Sequence, residues 1–378
     1  MKLLKDANLP KGFIASGLHC GLKKSGKADL ALFCSEVPAR AACLFTVNKI
    51  QAAPISVSRK HLKASGYHQA IIVNSGNANC FTGPRGTSDA LGVAKAVADV
   101  LGIKTKSVLV SSTGIIGRPL KVDKIKKAIP KLARSLSVKG IKQAKRAILT
   151  TDTFTKALSV KVKISGREVT ICGVAKGSGM ISPDMATMLG FIFTDADISK
   201  IILGKVLRAA VDESFNCITV DGCMSTNDTV TMLANGLAGN PLINSDKKAV
   251  LFKKALSLVC LELAKMIVKD GEGSSKFIQI KVAGAKTQGQ AKRVGLTVAN
   301  SNLVKTAIYA GNPNFGRIIA ACGSSGAALN EKKLKVKVSP LKRKEVVIEI
   351  NLNQGGGSSV IYTSDLTPKY IKINAEYN

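Results

Sequence analysis

The run from Ala175 to Asp195, AKGSGMISPDMATMLGFIFTD, holds the residues whose types and order can do chemistry. A glycine-rich stretch, Lys176-Gly177-Ser178-Gly179, precedes Met185-Ala186-Thr187, and an apolar strand follows. A small residue ahead of a threonine that opens a buried strand is what a self-cleaving precursor requires. The hydroxyl must attack the preceding carbonyl, which needs a tight turn and a nearby oxyanion acceptor. Cleavage of the Ala186–Thr187 bond frees the Thr187 amine, which then serves as general base for its own Oγ. The same segment also reads as a loop before a buried strand, with Thr187 an ordinary β-former. Spacing alone leaves both readings open. Two small-residue loops offer partners. The run STG at 112–114 ends a strand and presents the Thr113 hydroxyl and the Gly114 N–H. NSGNAN at 74–79 reads either as a second donor loop or as a structural turn.

Other chemistries find little support. The nine cysteines are scattered with no Cys-x-x-Cys pair, and His19, His61 and His68 stand far from most of them. Zinc needs clustered ligands at short spacing, so these read as buried thiols of a reducing compartment. No nucleophile-elbow sequence supports a Ser-His-Asp triad. GLKKSGKA at 21–28 has P-loop spacing, but Ala28 stands where a magnesium-holding Ser or Thr is needed, and a strand follows. It reads as a hairpin turn.

The elements that must position these residues follow from pattern. Residues 12–46 read as strands joined by a hairpin at Lys24–Lys27. AIIVNSG (70–76) and SVLVSS (107–112) are strands, and 87–101 is a helix capped by Thr87 or Ser88. The stretch 120–147 reads as a basic amphipathic helix with Ile125, Ala128, Ile129 and Leu132 inward. Strands alternate over 158–175, and helices are expected at 204–216 and 248–269. From 276 onward strands dominate, KYIKINAEY among them, interrupted by one helix at 300–310. The succession is mixed α/β with more than one sheet. No repeat, low-complexity tract or flexible linker interrupts it.

Of 378 residues, 56 are Lys or Arg and 24 are Asp or Glu, a formal charge of +32. That excess invites a nucleic-acid reading. Yet no recognition-helix, RRM or KH pattern accompanies it, and aromatics make up only 4% with no Trp, leaving little to stack bases on. The lysines of 331–345 alternate outward as on a protected edge strand. A hydrophobic fraction of 46% excludes a disordered or collagen-like chain. No apolar run approaches the ~18 residues that cross a bilayer, and residues 1–20 lack signal-peptide features. A cytoplasmic protein without nucleic-acid or membrane partners is the expectation.

AKGSGMISPDMATMLGFIFTDADI resembles the self-processing segment of the glutamate N-acetyltransferase (ornithine acetyltransferase) family of arginine biosynthesis. The likeness runs along essentially the whole chain. It includes GFIASGLHCGLKKSGKADLALFCSE, AAPISVSRKHL, NSGNANCFTG, SSTGIIG, AILTTDT, SFNCITVDGCMSTNDTV, KDGEGSSK, NPNFGRIIAACGSSG and YIKINAEY, in order.

The resemblance implies a layered αββα sandwich of the N-terminal-nucleophile type with a β-rich C-terminal part at 276–378. It implies self-cleavage into an α chain, 1–186, and a β chain, 187–378, two of each forming a heterotetramer. Thr187 matches the nucleophile, Ala186–Thr187 the bond cut, and Thr113 with Gly114 the oxyanion hole. Thr150, Lys176, Thr187, Glu272 and Asn374 match substrate contacts. Lys176 would neutralise a substrate carboxylate, Glu272 would meet an ammonium or relay a proton, and Asn374 would hydrogen-bond the amino-acid end. Departures lie at Phe315, at Cys223 and beyond Asn374, where the family's hydroxyl residue has no counterpart before Asn378. The implied reaction passes acetyl from N2-acetyl-L-ornithine to L-glutamate, with acetyl-CoA as a further donor and no metal or cofactor. A hydrolytic aminopeptidase of the same superfamily is the alternative.

Overall fold

The computed structural model describes residues 1–4, 6–182 and 188–376. The chain forms two compact units: Met1–Gly177, Asp184–Glu213 and Met224–Leu263 make the first, and Ser178–Pro183, Ser214–Cys223 and Ala264–Asn378 the second.

In the first unit, strands β1 (Lys2–Leu4), β2 (Phe13–Leu18) and β3 (Leu30–Phe45) lead to helix α1 (Ala53–Ala64) and β4 (His68–Asn77). Then come α2 (Gly83–Leu101), β5 (Val108–Ile115), α3 (Val122–Arg134), α4 (Ile141–Ala147), β6 (Lys156–Ile164) and β7 (Arg167–Lys176). β8 (Leu189–Thr194), α5 (Lys200–Asp212), β9 (Thr229–Ala234) and α6 (Asp246–Lys269) follow. The strands connect in the order β1-β6-β7-β8-β9-β3-β4-β5, with β2 on β3.

β3 explains how one ladder makes two layers. Its first half pairs with β2 and β4, and from Arg40 to Phe45 it pairs with β9. The register shifts between Cys34 and Ala39, where Pro38 cannot donate to a ladder. The two halves then face each other. Phe33 of β3 lies 5.4 Å from Phe191 and 5.1 Å from Phe193 of β8, and Phe13 lies 5.3 Å from Phe193, centroid to centroid. All four rings are buried. Each burial contributes roughly 1.5–3 kcal/mol, so truncating Phe33 removes about 3–5 kcal/mol.

Alternation sends the neighbouring residues outward. Leu30 and Leu32 pack with Val93, Val97 and Ile125 of α2 and α3. Across the core, Cys172 points inward, while the adjacent Gly173 faces Val259 and Leu263 of α6 so closely that a Cβ would collide. Helices, sheet, sheet, helices is the expected αββα sandwich.

The second unit carries β10 (Phe277–Ala285), α7 (Gln288–Ala299), α8 (Asn302–Tyr309), α9 (Phe315–Gly323), β11 (Lys335–Val338), β12 (Glu345–Asn351), β13 (Gly357–Ser364) and α10 (Pro368–Ala375). Its sheet runs β11-β12-β10-β13. β12 alternates strictly, with Val346, Ile348 and Ile350 buried. β11 is an edge strand with Lys335 and Lys337 outward, as its sequence suggests.

Four expectations need correction. α2 begins at Gly83, because Pro84 pre-sets the first turn, so Thr87 and Ser88 lie inside the helix. The basic stretch is two helices, α3 and α4, broken after Arg134; Ile125, Ile129 and Leu132 are buried as expected, and Ala128 only partly. α7 and α9 flank the single helix expected near 300–310. KYIKINAEY is not a strand: Pro368 opens helix α10 there. A helix puts Tyr370 and Asn374, four residues apart, on one face.

The 21–28 loop does join two strands, gathered by Asp29, whose carboxylate accepts the amides of Cys20, Leu22 and Lys23. Six cysteines are buried, and burial pushes the Cys172 thiol up to about 12. Among the described residues, no helix is long and apolar enough to cross a membrane and no three His, Cys, Asp or Glu group as for a metal.

Candidate active site

The first unit brings Thr113 and Lys176 together. Thr113 sits near the end of β5 and Lys176 at the end of β7; their side chains are buried, and the Lys176 Nζ donates to Thr113 Oγ1 at 3.1 Å. Because the ammonium supplies that hydrogen, the threonine's own O–H proton is left to point elsewhere. Gly114 follows at φ 134°, and a Cβ there would strike the Gly76 backbone of β4. Only glycine fits this crossing.

Asp152 orders the ground around them. Its side chain and that of Lys156 are fully buried, joined at 2.7 Å. The same oxygen accepts the Gly177 amide at 2.7 Å, and the other accepts the Thr150 amide at 3.0 Å. Burial pushes Asp152 upward, but the charges of Lys176 and Lys156 and the bonds from Lys156 and Gly177 outweigh it and hold the group at about 2. One carboxylate thus fixes the Thr150 loop and the chain just after Lys176. Lys23 secures the same loop from another side, donating to Leu149 O at 2.7 Å and Ala28 O at 2.8 Å. Burial lowers it to about 8; Asp29 opposes that, Lys176 adds to it, and Asp152 opposes it again.

NSGNAN is neither a free loop nor a turn: residues 74–77 are the end of β4, paired with β5 through a register shift at Gly76 and Asn77, and Ala78 and Asn79 follow the strand. Asn74 Nδ2 donates to Asn77 O, Ser75 Oγ to Ala147 O, and Asn79 Nδ2 to Gly86 O. Asn227 Nδ2 donates to both Ala78 O (2.7 Å) and Ser112 O (2.8 Å), tying the chain just after β4 to the strand end that carries Thr113.

The second unit brings Glu272 and Asn374 together, Asn374 Nδ2 donating to Glu272 Oε2 at 2.9 Å. The Glu272 amide donates to Ser178 O at 2.8 Å, and a Cβ at Gly179 would overlap the Glu272 carboxyl. The glycine at 179 therefore admits an acidic side chain against the loop that follows Lys176.

Ala186 and Thr187 lie outside the described residues. Met188 is held by Asp228, whose buried Oδ1 accepts its amide at 2.8 Å. Burial raises the Asp228 carboxyl well above the usual range, against that bond, the Lys176 charge and the hydroxyls of Thr46 and Ser225.

The ArgJ family model matches residues 14–342. The arginine biosynthesis bifunctional protein ArgJ of Caldanaerobacter subterraneus is 45% identical over 98% of this chain and 97% of its own. That of Geobacter sulfurreducens is 44% identical over 97% and 99%. The chain belongs to the ArgJ family.

Among solved structures, ArgJ from Bacillus halodurans is 42% identical with a TM-score of 0.47, over 49% of this chain and 97% of that one. Ornithine acetyltransferase from Mycobacterium tuberculosis, complexed with ornithine, is 35% identical with a TM-score of 0.45, over 48% and 97%. In this ArgJ-family chain the residues that sequence reading passed over are acids: Asp152 inside TTDT, and Asp221 and Asp228 inside TVDGCMSTND. Their signal was an acid placed among Thr, Gly and Asn in a chain so poor in acids.

Proposed function

We propose that this ArgJ-family enzyme transfers the acetyl group of N2-acetyl-L-ornithine to L-glutamate through an acetyl-Thr187 intermediate. The observation that carries the reading is the buried Lys176–Thr113 hydrogen bond, which leaves the Thr113 hydroxyl proton to donate to a developing oxyanion.

In the first half-reaction Thr187 Oγ bonds to the acetyl carbon while the Thr187 amine takes the hydroxyl proton. Negative charge gathers on the carbonyl oxygen, where Thr113 O–H and Gly114 N–H receive it. The C–N bond to ornithine breaks, and the amine's proton passes to the leaving nitrogen. In the second half the amine of glutamate attacks the ester and Thr187 Oγ recovers its proton, giving N-acetyl-L-glutamate. The acyl bond is conserved as an ester, so the route calls for no metal or cofactor. The word bifunctional in the relatives' names supports acetyl-CoA as a second donor to the same hydroxyl.

Thr187 becomes N-terminal by self-cleavage. Its Oγ attacks the Ala186 carbonyl, the hydroxyl proton moves to the departing nitrogen, and water opens the resulting ester to leave the Ala186 carboxylate and a free Thr187 amine. The products would be chains 1–186 and 187–378, two of each assembling as a heterotetramer. Thr150, Lys176, Glu272 and Asn374 would recognise the amino-acid ends of the substrates.

Ornithine release from N-acetylornithine, measured with and without glutamate, tests the reaction. Glutamate should raise it greatly. Equal release without glutamate, with free acetate as product, would make water the acceptor and the enzyme a hydrolase.

A further inference from the structure

Within the second unit the two residues Met180 and Ile181, just ahead of the expected cleavage segment, are held unusually hard. Asp221 Oδ2 accepts the Met180 amide at 2.6 Å and Oδ1 accepts the Ile181 amide at 2.9 Å. The Ile181 carbonyl in turn accepts from Val220 N at 3.0 Å, Gly222 N at 3.2 Å and Thr219 Oγ1 at 3.0 Å. Ile181 is fully buried. Met180 adopts φ 54°, left-handed for a residue with a side chain, which costs roughly 1–3 kcal/mol unless its surroundings impose it. Tyr370 on α10 adds a bond to Asp221 Oδ2 at 3.2 Å, and the Cys223 amide one to Oδ1 at 3.1 Å. Within the first unit Asp228, seven residues along, takes the amide of Met188, and Thr229 N donates to Met188 O at 3.2 Å. Nothing in acetyl transfer requires a grip on residues 180, 181 and 188. Self-cleavage does, because attack of Oγ on its own preceding carbonyl depends on how the chain is presented from both directions.

Resting on the self-processing reading of Thr187, we propose that Asp221 and Asp228 are positioning residues for self-cleavage, Asp221 holding the chain before the scissile bond and Asp228 the chain after it. Their chemistry differs. Asp221 accepts three amides and a hydroxyl, a set suited to a carboxylate with four lone-pair directions and beyond a carboxamide. Asp228 makes one amide bond in a buried place, which a neutral acceptor of the same shape can also make.

The test follows cleavage of the full-length chain on gels after pulse-labelled synthesis. Asp221→Asn should slow appearance of the two fragments by about tenfold or more, with Asp221→Glu recovering part of the loss and Tyr370→Phe slowing it less. Asp228→Leu should slow cleavage strongly, whereas Asp228→Asn should stay within about threefold of wild type. Ile348→Ala, a core truncation in the second unit, controls for general loss of stability: it should lower Tm and leave cleavage near the wild-type rate. Wild-type cleavage by Asp221→Asn, or slowing by Ile348→Ala equal to that of Asp221→Asn at the same Tm, would overturn the assignment. A wild-type chain that never cleaves would instead refute the self-processing reading, and the same gel shows it as one persisting band.

Discussion

The ammonium of Lys176 donates to the hydroxyl oxygen of Thr113 across 3.1 Å, with both side chains buried. A lysine placed here does two things: it brings positive charge beside Thr113, where the proposed reaction puts anionic substrates, and it sets which way the threonine's proton faces. Under the proposed function the pairing would tie substrate recognition and oxyanion stabilisation to one side chain.

Thr113→Ala removes an oxyanion donor and should lower kcat by roughly 10²–10³. Steady-state kinetics with N-acetylornithine and glutamate check it. A kcat within twofold of wild type would take Thr113 out of the oxyanion hole.

Lys176→Met should weaken both substrates, since each carries an α-carboxylate, and should also lower kcat because the Thr113 hydroxyl loses its fixed orientation. Lys176→Arg should restore substrate affinity better than kcat, the planar guanidinium being a poor substitute for a point donor at 3.1 Å. KM and kcat measured separately for the two variants distinguish these effects. A rise in KM alone in both would leave Lys176 only its carboxylate role.

Asp152 is held at about 2, below its usual 3.8. A carboxyl depressed in the folded state contributes stability that is present above its unfolded value and lost as pH falls through the folded one. Urea unfolding of wild type and Asp152→Asn should therefore differ most near neutral pH, and the gap should narrow between about pH 4 and pH 2. A gap that is constant with pH would mean the charge is not what Asp152 contributes.

Lys305 is shifted in the same direction for the opposite reason, because its surroundings disfavour the charged form. It is buried, donates to Thr363 Oγ1 at 3.1 Å and to the Ser364 carbonyl, and is lowered from 10.5 to about 8 by burial, against Asp365 and Asp221. Between these values the unfolded chain binds the proton that the folded chain has released, so this group adds stability as pH rises. The stability difference between wild type and Lys305→Met should grow from pH 8 to pH 10 in favour of wild type. A difference that shrinks over that range would contradict the assignment.

Much of this was legible before any coordinates. Period-two runs such as 158–175 and the outward lysines of β11 appear as strands because each face is decided by alternation. The layers were not readable in the same way. Whether β3 makes one sheet or two depends on a change of partner at Pro38, and partners are invisible in a single chain. α10 was misread because Tyr370 and Ile373 suit a strand as well as a helix, and only Pro368 at the first turn favours the helix. In the site, Thr113 and Lys176 were chosen for their side chains, and the structure pairs them. Asp152 and Asp221 were missed because their work is on backbone amides, which sequence does not mark.

The most direct test is the mass of the denatured protein a few seconds after mixing with N-acetylornithine. The account predicts two fragments, the second beginning Thr-Met-Leu-Gly and heavier by one acetyl group, with glutamate removing that group as N-acetylglutamate. An active protein that remains a single chain, or two fragments that never carry an acetyl group while ornithine is being released, would contradict it.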